Sequence, residues 1–147
     1  MDRSAGPVVL FGSGEISSHA QPVYAEVMDA LGDPVKVSIL ETPAGFQLNS
    51  ADVAGTVGEY LVHHLQNYHP DIRVIPARKR GTPASPDNAK ILQPLLDSNM
   101  IFFGPGSPTY AVRQLQGSLA WEMVRARHRL GAAVVAASAA TIAMSAH

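Results

Sequence analysis

Five short apolar runs, at residues 8–11, 35–40, 72–75, 100–103 and 132–137, recur about every 30 residues, the length of a strand–helix–strand unit. Three of them are almost continuously apolar, as strands are when helices cover both faces of a sheet. This spacing constrains the chain more than any single residue does. Parallel strands must be joined by a crossover, and a crossover of this length is a helix.

The intervening segments carry the matching pattern. Residues 22–31 place Val23, Val27, Ala30 and Leu31 at helical spacing and stop at Gly32, Asp33 and Pro34. Ser50 is suited to cap a longer helix with Val53, Val57, Tyr60, Leu61, Leu65 and Tyr68 on one stripe, ending before His69 and Pro70. Ser85, Pro86 and Asp87 predict another helix start, and Pro94 should kink or end that helix. Ser107-Pro108 opens a further helix, and Ser118 opens the one that carries Arg125, Arg127 and Arg129 in its last turns before Gly131. Cations there suit the negative end of the helix dipole, which is a structural role. The expected fold is α/β: a three-layer, doubly wound, mainly parallel sheet with right-handed crossovers, in one domain over residues 1–147. No repeat and no linker divides it.

Bulk properties narrow the function. A net charge of −1 leaves no electrostatic footprint for nucleic acid or an anionic membrane surface. The basic cluster Arg78-Lys79-Arg80 reads as a solvated loop. With no cysteine, disulfides, thiolate metal sites and a cysteine nucleophile are excluded from this sequence. The first apolar run is too short for a signal peptide or a membrane span, so a cytoplasmic protein is the expectation.

In a sheet of this kind ligands bind beyond the carboxyl ends of the strands. Three ends stand out. The first strand runs into Gly12-Ser13-Gly14-Glu15, the fourth into Gly104-Pro105-Gly106-Ser107-Pro108, and the fifth into Ser138. Residues 132–138 read AAVVAAS and are followed by AATIAM, so a buried strand ends in a serine between very small residues and turns at once into a helix. That pattern describes a nucleophile elbow, which lifts the hydroxyl above the sheet edge. An oxyanion over Ser138 could take hydrogen bonds from the amides of Ala139 and Gly106, but not from Pro105, which has no N–H.

Residues 100–108, MIFFGPGSP, followed about thirty residues later by VVAASAAT at 134–141, resemble the dipeptidase E and cyanophycinase group of serine peptidases. The pattern of that group is a strand ending in Gly-Gly-Asn-Pro, a helix pair, then a strand ending in Gly-Thr-Ser-Ala-Gly-Ala. The resemblance implies the flavodoxin-like, class I glutamine-amidotransferase-like fold. It assigns Ser138 as nucleophile, with Gly106 and Ala139 as oxyanion amides. It also implies a peptide or small amide substrate, no metal and no organic cofactor. The loop at Gly14 and Glu15 is similar as well, and Glu15 is a candidate for binding a substrate amine or for organising the loop. The sequence departs from the group at Ala136, Ala140 and Pro105, which stand where the group has glycine. The group's catalytic histidine lies some tens of residues after the serine. The resemblance therefore implies that residues 1–147 correspond to the amino-terminal two-thirds of a larger hydrolase domain, with a histidine and an acid supplied from beyond residue 147.

Among the histidines, His64 lies on the apolar stripe of its helix and reads as packed. His63 and His64 point about 100° apart, which disfavours a shared metal. His147 ends the sequence, and His19 comes after the first strand near the presumed site. Two other readings stay open. One is a catalytically inactive α/β module that acts in binding or assembly and exposes enough apolar surface to self-associate as a homo-oligomer. The other is a nucleotide- or flavin-binding domain using Gly12-Ser13-Gly14 with Glu41 on a ribose, although Ser17 occupies the place of the third glycine.

Overall fold

The computed structural model describes residues 5–145. Its five strands are β1 (Val8–Phe11), β2 (Lys36–Leu40), β3 (Asp71–Ile75), β4 (Met100–Phe103) and β5 (Ala133–Ala137). They form one parallel sheet in the order β1-β5-β4-β2-β3. The helices are α1 (Gln21–Asp29), α2 (Ser50–His64), α3 (Pro108–Leu115), α4 (Leu119–Arg129) and α5 (Ala139–Ser145). The chain runs from edge strand β1 to β2, on to the far edge at β3, and then back through β4 to β5.

That reversal puts helices on both faces. Tyr24, Val27 and Met28 of α1 and Val57 and Leu61 of α2 pack with Val37, Ile39, Phe102 and Val135 on one face. Leu92, Leu95, Leu115 and Val124 pack with Leu40, Ile101, Phe103 and Val134 on the other. Alternate residues of β4, Met100 and Phe102 against Ile101 and Phe103, thus belong to two separate cores, as the two-residue period of a strand requires. The α/β expectation holds, and the five apolar runs are the five strands.

The helices hold with three differences, the first being that α2 ends at His64 and Gln66–Tyr68 follow as a separate 3-10 turn. Ser107 and Ser118 cap α3 and α4 as expected, accepting the Tyr110 amide at 3.2 Å and the Trp121 amide at 3.1 Å. Ser50 does not cap α2. Asn49 occupies the cap position without a side-chain bond, and the Ser50 hydroxyl turns instead to the Glu41 carboxylate at 2.6 Å. The helix expected from Ser85 is absent too, replaced by turns and a short 3-10 segment at Gln93–Asp97. Local side-chain bonds win there. Ser85 Oγ accepts the Asp87 amide at 3.0 Å, Asn88 Oδ1 accepts the Lys90 amide at 3.1 Å, and Asp87 itself accepts the Leu119 amide at the start of α4.

Strand β1 is covered on one side only. Phe11 packs on the Tyr24 ring, at 5.3 Å between centroids, whereas Val8 and Leu10 on the other face are 52% and 50% exposed. They border a groove of about 550 Å³ whose walls include Leu115, Trp121 and Met144. A bare apolar edge strand is a pairing hazard. The 147-residue chain should therefore self-associate in light scattering, and the double substitution Val8→Lys/Leu10→Lys should shift it toward monomer. A monodisperse wild-type monomer would contradict this.

Candidate functional site at the carboxyl edge of the sheet

Registers Phe11↔Ala137, Phe103↔Ala136 and Leu40↔Phe103 bring the carboxyl ends of β1, β5, β4 and β2 to nearly one line. Neighbouring strands lie about 4.8 Å apart. The Gly12–Glu15 loop, Ser138 and the Gly104–Ser107 turn therefore stand side by side, with Ser138 in the middle.

Ser138 sits between β5 and α5 with φ of 52°, in the left-handed region that side chains seldom adopt. Its amide donates to the Phe11 carbonyl at 2.9 Å, and the same carbonyl accepts the Thr141 hydroxyl at 2.6 Å. Thr141 also donates to the Ala136 carbonyl at 3.0 Å, so one side chain ties α5 to both β1 and β5. The surrounding alanines are small of necessity: Ala136, Ala137, Ala139 and Ala140 are all buried. Ser138 is half-buried, and its hydroxyl makes no hydrogen bond among the described residues.

Gly106 is the residue this edge can least replace. Its φ is 156°, and a Cβ built on it would stand 1.9 Å from the Pro43 carbonyl oxygen. The next amide, Ser107, donates to that same oxygen at 2.8 Å. The amides of Gly106 and Ala139 carry no hydrogen bond to described residues. On the other side of Ser138, Gly14 has φ of 78°, and its carbonyl accepts the Ser17 hydroxyl at 2.7 Å. The Glu15 carboxylate is half-buried with no bonded partner among the described residues.

Three tyrosines pin these loops. Tyr24 donates to the Glu15 carbonyl at 2.8 Å, Tyr60 donates to the Ser17 carbonyl at 2.6 Å, and Tyr110 donates to the Arg78 carbonyl. Burial holds all three phenols above their usual range, with the charges of Tyr60 and Glu15 adding to the effect at Tyr24. They remain donors throughout the neutral range.

Sequence reasoning misses one part of the site. Glu41, at the end of β2, is buried, and its carboxylate is held by Arg78 Nε at 2.9 Å and by Ser50. Arg78 is therefore an ion-pair partner and not simply part of a solvated loop, and Glu41 presents no free carboxylate to a ribose. The readable signal was an acid continuing an apolar strand without a break.

Four of the described histidines are exposed or bonded to other groups. His19 is exposed in the 3-10 turn Ser18–Ala20. His64 is exposed too, with its ring stacked on Tyr60 at 4.5 Å. His69 pairs with Asp33, and His128 bonds the Gly6 carbonyl. None of the described histidines hydrogen-bonds Ser138, and His147 lies outside the described residues. Among the described residues there is no cluster of three or more metal-ligating side chains, and no helix is long and apolar enough to cross a membrane.

No sequence family and no curated protein matches the chain. Solved structures do. A peptidase from an acI-B1 Actinobacterium superposes with a TM-score of 0.75 at 21% identity, over 95% of this chain and 57% of its own. A peptidase E-like protein from Listeria monocytogenes EGD-e gives 0.62 at 15% identity, over 93% of this chain and 60% of its own. The chain therefore shares its fold with peptidases and spans less than two-thirds of the length of these two.

Proposed function

We propose that this chain carries the nucleophile and oxyanion hole of a serine-type hydrolase acting on peptide or related amide bonds. The single observation that carries the reading is Ser138 itself. It is a serine in left-handed backbone at a strand–helix junction, and its hydroxyl has no hydrogen-bond partner among the described residues. A residue whose only task was to fill that junction would more economically be glycine. In this reading Ser138 Oγ attacks the substrate carbonyl, and the amides of Gly106 and Ala139 stabilise the oxyanion as charge develops. Glu15, in the loop after β1, is the candidate contact for a substrate amine. The reading requires a histidine to accept the Ser138 proton and an acid to orient it, and no described histidine is bonded to Ser138. Likeness of fold to peptidases supports the reaction class.

The test is to treat the protein, in the form its source organism makes, with a fluorophosphonate and to map the adduct. Stoichiometric modification of Ser138 and of no other serine is expected. An unmodified Ser138, on a chain that hydrolyses no peptide, would favour the reading of an inactive α/β module. That second reading draws on one observation, that no described histidine is bonded to Ser138.

A further inference from the structure

We propose that the Glu41–Arg78 ion pair is a positioning pair for the turn at Gly106, holding in place the amide assigned above to the oxyanion. The inference rests on the hydrolase reading for its catalytic consequence, but not for its geometry.

The anchor is the Glu41 carboxylate. Its side chain is 2% exposed, against 41% for Arg78. A buried carboxylate persists only where its lone pairs are filled. Arg78 fills them with Nε at 2.9 Å and Nη2 at 3.5 Å, and Ser50 Oγ adds a bond at 2.6 Å. The partners are 37 residues apart in sequence, so the pair joins the β2 loop to the β3 loop.

From that anchor two routes reach Gly106. On the first, the Glu41 carbonyl accepts the Ala44 amide at 2.9 Å and closes the 3-10 turn Thr42–Ala44. The Pro43 carbonyl of that turn accepts the Ser107 amide at 2.8 Å and lies directly against Gly106. On the second route, the Arg78 carbonyl accepts the Tyr110 hydroxyl in the first turn of α3. A Cβ on Gly45 would come within 2.5 Å of this same carbonyl oxygen, so the two loops touch through their main chains. Thr42 Oγ1 adds a bond to the Ala77 carbonyl at 2.8 Å. Arg78 thus holds the Pro43 side of the turn with its guanidinium and the α3 side with its carbonyl. The Gly106 turn is strung between the two.

A simpler role for Arg78 would be neutralising a buried charge. The two roles separate when both charges are removed together. Amide exchange on the 147-residue chain would compare wild type with the double variant Glu41→Gln/Arg78→Met, using the Val134 and Ser138 amides as references for the sheet. If the pair positions the turn, Ser107 should exchange at least about tenfold faster in the double variant while the references are unchanged. If it only balances charge, Ser107 exchange should stay within about twofold of wild type, and the proposal is overturned. Should the double variant fail to fold, Arg78→Lys decides on the same readout. Lysine keeps the charge but loses the planar fork. Faster Ser107 exchange with steady references supports the proposal, and unchanged Ser107 exchange overturns it.

The catalytic consequence has its own measurement. Phosphonylation of Ser138 should slow by about tenfold or more in Arg78→Lys, because small misplacements of a site are costly. An equal rate would overturn that consequence. A wild-type protein that does not react at all would count against the hydrolase reading, and the exchange result would still decide the clamp.

Discussion

Gly106→Ala should destabilise the fold by at least about 3 kcal/mol, read as a fall in the urea midpoint or as loss of a cooperative transition. The new methyl would have to occupy space 1.9 Å from the Pro43 carbonyl oxygen and 2.5 Å from the Ala44 nitrogen. Both are backbone atoms and cannot swing aside as a flexible side chain could. The φ of 156° adds a second cost, since side-chain-bearing residues avoid this region. Gly12→Ala is the matched control. Its Cβ would meet nothing within 4 Å, so a change within about 0.5 kcal/mol is expected. Comparable melting of the two variants would mean that the Pro43 contact yields easily, and the Gly106 amide could not then be held to one position.

Ser138→Ala should abolish modification by a fluorophosphonate while leaving the denaturation midpoint nearly unchanged. Alanine and serine have the same difficulty at φ of 52°, and among the described residues the hydroxyl has no hydrogen bond to lose. Ser138→Gly should do more than preserve the fold. Left-handed backbone costs a side-chain-bearing residue about 1–2 kcal/mol, partly offset by the greater freedom of glycine when unfolded. A net gain on the order of 0.5–1 kcal/mol is therefore expected, measurable by thermal or urea unfolding. Stability rising as reactivity vanishes is the pattern of a residue kept for its chemistry. A Ser138→Ala protein that still took up the probe at the same peptide would remove Ser138 from the mechanism.

The sheet was readable because burial on both faces writes itself as uninterrupted apolar runs, and all five became strands. Their order was not. The contacts that place β5 between β1 and β4 are between residues such as Val8 and Val134, which no local pattern connects. The failed helix after Ser85 has a local cause. Serine, aspartate and asparagine there satisfy backbone amides in turns, and Pro83, Pro86 and Pro94 leave no long stretch free for helical bonding. At the candidate site, the motifs around Ser138 and Gly106 were legible because tight turns demand small residues. The Glu41–Arg78 pair was not, since Arg78 stands in a run of three cations and its buried partner lies 37 residues away in the loop after β2. Sequence also offered no hint that Pro43 is the surface against which Gly106 is fitted.

The place of β1 in the sheet has a consequence for how the protein is made. Its only ladder partner among the described strands is β5, synthesised more than a hundred residues later. At translation rates of about 5–20 residues per second, the run Val8–Phe11 waits roughly ten seconds outside any sheet. The β2, β3 and β4 pairings can form in the meantime, so β1, made before the other described strands, is among the last of them to be incorporated. Nascent-chain folding should accordingly show a late, all-or-none step when β5 emerges, and until then the Val8–Phe11 segment is a natural client for chaperones that hold short apolar segments.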